Sequence, residues 1–158
     1  LKALNPNAGS KSVEEMREII DHAKMPFIIK GIMTPKGALK AVEAGADAIV
    51  VSNHGGRVQG NVPSTAEVLP GIAKAVKGKI KIFVDGGIRS GVDVFKAIAL
   101  GADAVLIGRA VVPFIYAAGE EGFKVYMDRI VKQLRDTMNM CGTPTLADIG
   151  EDNIFIAR

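Results

Sequence analysis

The sequence predicts an α/β fold of four βα units, and three observations carry this prediction. Four short apolar runs, each bounded by Gly, Pro or charged residues, predict buried strands over about 27–30, 47–52, 80–85 and 103–108. Helical segments of about ten residues separate these runs, which is typical of parallel βαβ units. The third observation is an internal repeat.

The repeat joins residues 38–51 (ALKAVEAGADAIVV) to residues 94–107 (VFKAIALGADAVLI) at an offset of 56 residues, with six of fourteen positions identical. The same offset aligns Phe27 with Phe83 and Gly31 with Gly87. A repeated βα unit is the building block of a (βα)8 barrel, and a whole barrel takes about 250 residues. We therefore expect residues 1–158 to form one half-barrel domain, the C-terminal half of a TIM barrel if the other half precedes it.

Capping signals predict where the helices begin. Ser12 and Ser64 are each followed three residues later by Glu, the capping-box pattern, and Thr34 precedes a proline suited to a first turn. The predicted helices cover 12–24, 34–44, 64–76, 91–100, 112–117 and 120–139, and the tail from Gly142 is expected to wrap back as a loop.

The amino-acid composition and net charge argue against several classes of protein. The chain is 48% apolar and 23% charged, which argues against disorder. A single cysteine, Cys141, cannot pair within the chain, so we expect a reducing, cytoplasmic location. The net charge of +3 with only 5% aromatic residues is a weak basis for nucleic-acid binding but suits small anionic ligands. No apolar run approaches the roughly 20 residues of a membrane span, and no His, Cys, Asp or Glu spacing predicts a metal site.

Polar residues gather where the predicted strands end. These four ends read Lys30-Gly31, SNHGGR at 52–57, DGGIRSG at 85–91, and Gly108-Arg109. In (βα)8 barrels the active site lies at the carboxyl ends of the strands. We therefore expect the chemistry at this edge of the sheet.

The last two strand ends predict a phosphate site. Gly86 and Gly87 let the backbone N–H groups approach an anion, and the helix that Gly91 opens adds a partial positive charge. Arg89 and Arg109 add charged, forked donors. The alternative is that the glycines only form tight turns and that the arginines pair with Asp85 or Asp103.

The second strand end predicts proton transfer. His54 lies between Asn53 and two glycines, and a neutral imidazole can take a proton near pH 7. Arg57, three residues later, can hold a carboxylate with two hydrogen bonds. Lys30 either pairs with a neighbouring carboxylate or serves as a fixed cation against an anionic intermediate.

Together these motifs resemble the FMN-dependent 2-hydroxy-acid oxidases and dehydrogenases, a group that includes glycolate oxidase and lactate oxidase. The resemblance runs from about residue 26 to 140, with all four strand-end motifs in order. The pair SNHGGR and DGGIRSG is specific, whereas DGGIRSG alone also resembles other phosphate-binding barrels. The resemblance implies FMN as cofactor and a small L-2-hydroxy acid, of the lactate or glycolate type, as substrate.

The resemblance also implies roles for single residues. His54 would be the base, on either the α-proton or the hydroxyl proton, and Arg57 would bind the substrate carboxylate. Lys30 would face the N1–O2 edge of the flavin and stabilise its reduced, anionic form, while Ser52 would touch the ring. The ribityl chain and phosphate would be held by the remaining motif residues, Asp85, Gly86, Gly87, Arg89, Gly108 and Arg109.

Two departures from the family pattern stand out. The family commonly continues SNHGGR with Leu-Asp, whereas Val58 and Gln59 follow here. The first half of the family's barrel is absent, and with it an aspartate that orients the histidine and tyrosines that meet the substrate. A half barrel exposes two sheet edges, so we expect them to be covered either by the missing N-terminal half or by a second copy of the chain. We also expect a homo-oligomer.

Two other interpretations remain open from the sequence. One is a different flavin or phosphate barrel enzyme, such as a type 2 isopentenyl-diphosphate isomerase or a relative of inosine-monophosphate dehydrogenase. The other is a non-catalytic half barrel that binds phosphate or flavin, or only a structural fragment.

Overall fold

A computed structural model describes residues 9–58 and 60–156. Five α-helices are present in this part of the chain: α1 (Val13–Ala23), α2 (Pro35–Ala44), α3 (Thr65–Val76), α4 (Gly91–Ala99) and α5 (Val112–Met140). Four strands alternate with them: β1 (Ile28–Ile32), β2 (Ala48–Val51), β3 (Lys81–Val84) and β4 (Ala104–Val105). Short 3-10 turns lie at His54–Gly56, Arg109–Val111, Leu146–Asp148 and Glu151–Asn153.

The strands form one parallel sheet in the order β1-β2-β3-β4. This is the predicted sequence of four βα units, and it confirms the fold class. Two predicted strand bounds were wrong. β1 continues past Lys30 to Ile32, because an irregularity at Gly31 (φ +95°) shifts the register without ending the pairing. β4 covers only Ala104–Val105 of the predicted 103–108.

The two faces of the sheet differ, as expected from the alternation of side chains along a strand. Buried apolar side chains on one face pack against the helices: Ile49, Val51, Ile82 and Val84 of the sheet, with Leu69, Ile72 and Val76 of α3. The opposite face carries Ile28, Val50, Phe83 and Leu106, which belong to none of the helix-facing clusters. In a barrel this second face would point to the interior.

Four of the six identical pairs of the repeat, Gly45/Gly101 to Ala48/Ala104, lie at the amino end of the sheet, and the other two lie within α2 and α4. Asp47 donates its N–H to the carbonyl of Phe27 and accepts the Phe27 N–H on its carboxylate, at 3.0 and 2.7 Å. Asp103 makes the same two hydrogen bonds with Ile82, at 2.7 and 2.8 Å. Each aspartate thus fixes the start of the preceding strand. In (βα)8 barrels this amino-terminal face contributes to stability, whereas the active site lies at the opposite face.

Strand pairing corrects the sequence alignment of the repeat by one residue. Ala48 and Ala104 are equivalent at the offset of 56, and they pair with Ile28 and Phe83 respectively. Phe83 is therefore the counterpart of Ile28 rather than of Phe27. Consequently Lys30 and Asp85 occupy equivalent places in the two halves of the repeat.

Helix α5 merges the two predicted helices 112–117 and 120–139 into one element with a kink at Ala118 and Gly119. The tail returns to the helix layer as expected: Ile149 is buried against Phe95 and Ala99 of α4. No helix in the described residues combines the length and apolar character needed to cross a bilayer.

Candidate functional site

Three strand ends meet in one polar cluster. Lys30 lies in β1, Ser52 directly follows β2, and Asp85 directly follows β3. The Lys30 ammonium donates to Ser52 Oγ at 2.9 Å and pairs with Asp85 Oδ2 at 3.2 Å. Parallel neighbours bring these residues together because their carboxyl ends share one edge of the sheet. The Lys30 side chain is 46% exposed, so its charge faces the open edge as well as the carboxylate.

One carboxylate oxygen of Asp85 accepts no hydrogen bond from any residue that the structure describes. Its Oδ1 is buried and accepts no hydrogen bond, while Oδ2 is occupied by Lys30. The buried hydroxyl of Thr65 donates to the backbone carbonyl of Asp85 at 2.7 Å and holds the residue from the start of α3. A buried acceptor without a donor is costly in a folded protein. The position is therefore suited to a ligand that brings a hydrogen-bond donor.

The histidine motif forms a left-handed turn. His54, Gly55 and Gly56 have φ values of +56°, +64° and +72°. A positive φ is uncommon for a residue with a Cβ atom and is found preferentially at functional sites. The side chain of Asn53 accepts the Gly56 N–H, and Ser52 Oγ accepts the His54 N–H at 3.1 Å. No hydrogen bond to the exposed imidazole comes from the residues that the structure describes.

Arg109 connects the fourth strand end to this turn. Its guanidinium donates from Nη2 to the Gly55 carbonyl at 3.2 Å. A Cβ atom on Gly55 would collide with the same Nη2 atom, so a side chain there would displace the arginine from this position, and the positive φ of Gly55 also favours glycine. A hydrogen bond therefore joins the turn after β2 to the 3-10 turn Arg109–Val111, which follows β4.

The arginines at the strand ends have no carboxylate partners in the described chain. The three ion pairs found there are Lys30–Asp85, Lys81–Asp103 and Lys132–Asp136. The alternative in which Arg89 or Arg109 pairs with Asp85 or Asp103 is therefore wrong. Arg57 and Arg89 are both exposed, and neither is joined to Lys30, Ser52 or Asp85 by a side-chain hydrogen bond or ion pair in the described residues.

The glycine-rich loop after β3 has the expected tight backbone, but the first N–H of the helix that follows it is already hydrogen-bonded within the protein. Gly86 and Gly87 adopt φ values of +89° and +80°, in keeping with a tight approach of backbone to ligand. Gly91, however, donates its N–H to the side chain of Gln133 in α5 at 3.0 Å. The first N–H of α4 is thus used within the protein and is not free for an anion, and Gly91 lies where α4 packs against α5.

Four supporting residues were not predicted from the sequence. Thr65 and Asn53 hold the strand-end backbone as described, and only their position beside the motifs could have indicated this. Gln133 and Tyr126 reach the β3 loop from α5, and no sequence signal marks them. Burial raises the pKa of the Tyr126 phenol, so the hydroxyl stays protonated and donates to the Arg89 carbonyl at 3.4 Å.

Two cavities accompany these features. One of about 410 Å³ adjoins the cluster and is lined by Lys30, Gly31, Met33, Ser52, Asn53, His54, Val58 and Val62. A larger one of about 720 Å³ lies between α3, α4 and the tail and contains none of the predicted site residues. We place the site at the smaller cavity because the chemistry-bearing side chains line it. Within residues 9–58 and 60–156, no group of His, Cys, Asp or Glu is arranged to hold a metal ion.

Known proteins share both sequence and fold with this chain. A peroxisomal (S)-2-hydroxyacid oxidase of Arabidopsis thaliana is 45% identical over 96% of this chain, which covers 41% of that protein. An L-lactate dehydrogenase of Stenotrophomonas maltophilia is 49% identical over 95% of this chain and 39% of its own length. The chain thus spans about two fifths of the length of these curated relatives.

Solved structures of similar oxidases share the fold of this chain as well as its sequence. A mandelate oxidase with the monooxide FMN adduct superposes with a TM-score of 0.84 at 41% identity, over 88% of this chain and 44% of that one. A Pediococcus acidilactici protein described as a lactate oxidase gives a TM-score of 0.87 at 39% identity, over 93% and 42%. The model of the FMN-dependent dehydrogenase family matches residues 3–156. This chain therefore belongs to the FMN-dependent dehydrogenase family.

Proposed function

We propose that this chain carries the flavin cradle and the catalytic base of an FMN-dependent oxidase or dehydrogenase of small L-2-hydroxy acids. The observation that carries the proposal is the strand-end cluster, in which a half-exposed Lys30 lies beside an Asp85 that has a free buried acceptor. The relatives named for 2-hydroxyacid and lactate oxidation support this class of substrate. The family match favours it over the other flavin and phosphate barrels.

The residues at this edge fit FMN. Asp85 Oδ1 could accept a ribityl hydroxyl, and the Gly86-Gly87 backbone leaves room for close approach. Arg89 and Arg109, free of carboxylate partners in the described part, would bind the phosphate together with Gly108. Lys30 and Ser52 would meet the ring, where the ammonium favours negative charge.

His54 and Arg57 would act on the substrate. Oxidation of a 2-hydroxy acid to a 2-oxo acid removes two electrons and two protons, and FMN, when bound, supplies the electron acceptor. Arg57 would hold the carboxylate through its forked donors. His54 would take one proton, from the hydroxyl or from the α-carbon, since its exposed imidazole is free to accept.

Flavin retention tests the cradle. The chain is mixed with FMN, desalted and examined by visible absorption, and we expect the bands of oxidised flavin to remain. Arg89→Ala should weaken retention, whereas Arg135→Ala, which removes an exposed arginine of α5, should not. Equal retention by both variants would refute the phosphate assignment. Loss of flavin by the unaltered chain would refute binding by this segment alone and assign the motifs to a longer enzyme.

Bleaching of bound flavin by a 2-hydroxy acid tests the base. We expect lactate or glycolate to bleach the flavin under anaerobic conditions. His54→Ala should retain the flavin but abolish bleaching, and His22→Ala on the exposed face of α1 should leave bleaching unchanged. Bleaching by the His54 variant at the original rate would refute its role. Flavin that no hydroxy acid bleaches would favour the non-catalytic half barrel.

The cytoplasmic location stays a prediction. It depends on the single exposed thiol of Cys141, and the Arabidopsis relatives are named as peroxisomal proteins.

A further inference from the structure

One arginine joins the turn that carries His54 to a different βα unit. Arg109, which follows β4, donates to the carbonyl of Gly55 at 3.2 Å, across 54 positions of the chain. The sheet order places β3 between β2 and β4, so this side chain reaches past the end of β3 to the turn after β2. The guanidinium therefore lies at the carboxyl edge of the sheet, where the proposed function places the FMN phosphate.

The turn itself has an unfavourable backbone conformation and is shaped by local hydrogen bonds. His54, Gly55 and Gly56 all have left-handed φ values, which are costly for His54 because it has a Cβ atom. Ser52 Oγ accepts the His54 N–H at 3.1 Å, and the Asn53 carbonyl accepts the Gly56 N–H at 3.0 Å. Both acceptors belong to the same loop, so they do not fix the turn relative to the other strand ends. The hydrogen bond from the fourth βα unit does.

We propose that Arg109 is a positioning residue for His54, and that it couples occupation of the phosphate site to the place of the imidazole. A guanidinium has several N–H donors in one plane, so Arg109 can hold the Gly55 carbonyl with one donor and a phosphate with others. A phosphate that fixes the guanidinium then also fixes the turn. The roles of His54 as base and of Arg109 at the phosphate rest on the proposed function, whereas the link between Arg109 and Gly55 is a contact within the chain.

The close approach at Gly55 supports this link, and the neighbouring arginine lacks it. A Cβ atom on Gly55 would overlap Arg109 Nη2, so the guanidinium lies directly against the backbone of the turn. Arg89, in the loop after β3, is also exposed and is also assigned to the phosphate. No side-chain hydrogen bond joins Arg89 to residues 54–56 in the part of the chain that the structure describes. A comparison of the two arginines therefore separates the effect of positioning from that of charge.

Amide hydrogen exchange tests the positioning role without any need for flavin. The exchange rates of the His54 and Gly56 N–H groups, measured by NMR, report how often the turn opens. Arg109→Met keeps the apolar stem but removes the donors, and it should speed both exchanges about ten-fold, as expected for the loss of one charged hydrogen bond. Arg89→Met removes the same charge and should leave both rates unchanged. Rates in Arg109→Met equal to those of the parent protein would overturn the proposal.

Gly55→Ala breaks the link from its other end and serves as a second variant. The added Cβ atom displaces the guanidinium, so Arg109→Met should cause little further change in Gly56 exchange when it is combined with Gly55→Ala. If the effects of the two substitutions on the exchange rate simply multiply, the two residues act independently and the proposal is overturned.

Titration with inorganic phosphate tests the coupling. Shifts of the Gly86 and Gly87 amide signals report filling of the phosphate site, and we expect the imidazole signals of His54 to shift over the same concentration range. In Arg109→Met the His54 response should be lost at a phosphate concentration that still shifts Gly86. Filling of the site in the parent protein with no response at His54 would overturn the coupling. If phosphate shifts none of these signals, the phosphate assignment of the proposed function fails and the coupling with it, while the exchange comparison still decides the positioning role.

Discussion

Gly91→Ala should destabilise the protein, because α4 meets α5 at this residue. A Cβ atom on Gly91 would overlap the backbone N of Leu134 and the carbonyl of Ile130, and would lie 2.7 Å from the carbonyl carbon of Gln133. Backbone atoms cannot rotate away, so the helices must separate and strain the hydrogen bond between the Gly91 N–H and Gln133. Overpacking of this kind costs about 1–3 kcal/mol. The better helix propensity of alanine returns at most about 1 kcal/mol.

Because the overlaps are with backbone atoms, the cost lies at the upper end of this range, and the expected net loss in free energy of unfolding is about 2 kcal/mol. Urea unfolding followed by circular dichroism measures it, with all proteins at one concentration. Gly71→Ala is the matched control, since its Cβ atom would meet only Pro35 at 3.8 Å in an exposed part of α3. This control should be stabilised by about 0.5–1 kcal/mol. A Gly91→Ala protein as stable as its parent would refute the close contact between α4 and α5.

Three further substitutions probe the strand ends. Thr65→Val removes a buried hydroxyl and leaves the carbonyl of Asp85 without this donor, so the free energy of unfolding should fall by about 1–2 kcal/mol in a urea titration. Gly55→Ala combines a left-handed φ of +64° with a collision against Arg109, and it should both lower the melting temperature and weaken FMN retention. For Asp103, burial raises the carboxyl pKa, but hydrogen bonds from the Ile82 amide and Lys81 outweigh it and hold the pKa below its usual range. The ionised Asp103 therefore contributes its whole stabilisation at pH values above the pKa that this carboxyl has in the unfolded chain, and loses it as the pH falls through the lower pKa of the folded state. The difference in free energy of unfolding between the parent protein and Asp103→Asn should therefore decrease in acid.

The sequence predicted the elements well where local chemistry decides them. The capping boxes at Ser12 and Ser64 form as expected, because each cap needs only a neighbour three residues away. The bounds of β1 and β4 were wrong because pairing, rather than apolar content, decides where a strand ends. The contacts of Gln133 and Tyr126 were missed because they join parts of the chain 42 and 37 residues apart. The use of the Gly91 N–H by Gln133 could not be predicted either, because the place of Gly91 at the start of a helix does not reveal which element covers it.

The two halves of the repeat keep the same residues at one end of the sheet and different ones at the other. At the amino end, Asp47 and Asp103 make the same pair of backbone hydrogen bonds, which any βα unit can use. At the carboxyl end, equivalent positions hold Lys30 in one half and Asp85 in the other, and these two side chains pair across β2. If the two halves were identical, the positions of Lys30 and Asp85 would both hold lysine or both hold aspartate, and two like charges would lie close together. The unpartnered carboxylate oxygen beside an ammonium group would then not exist. The difference between the halves therefore creates the proposed site, and their identity maintains the sheet that positions it.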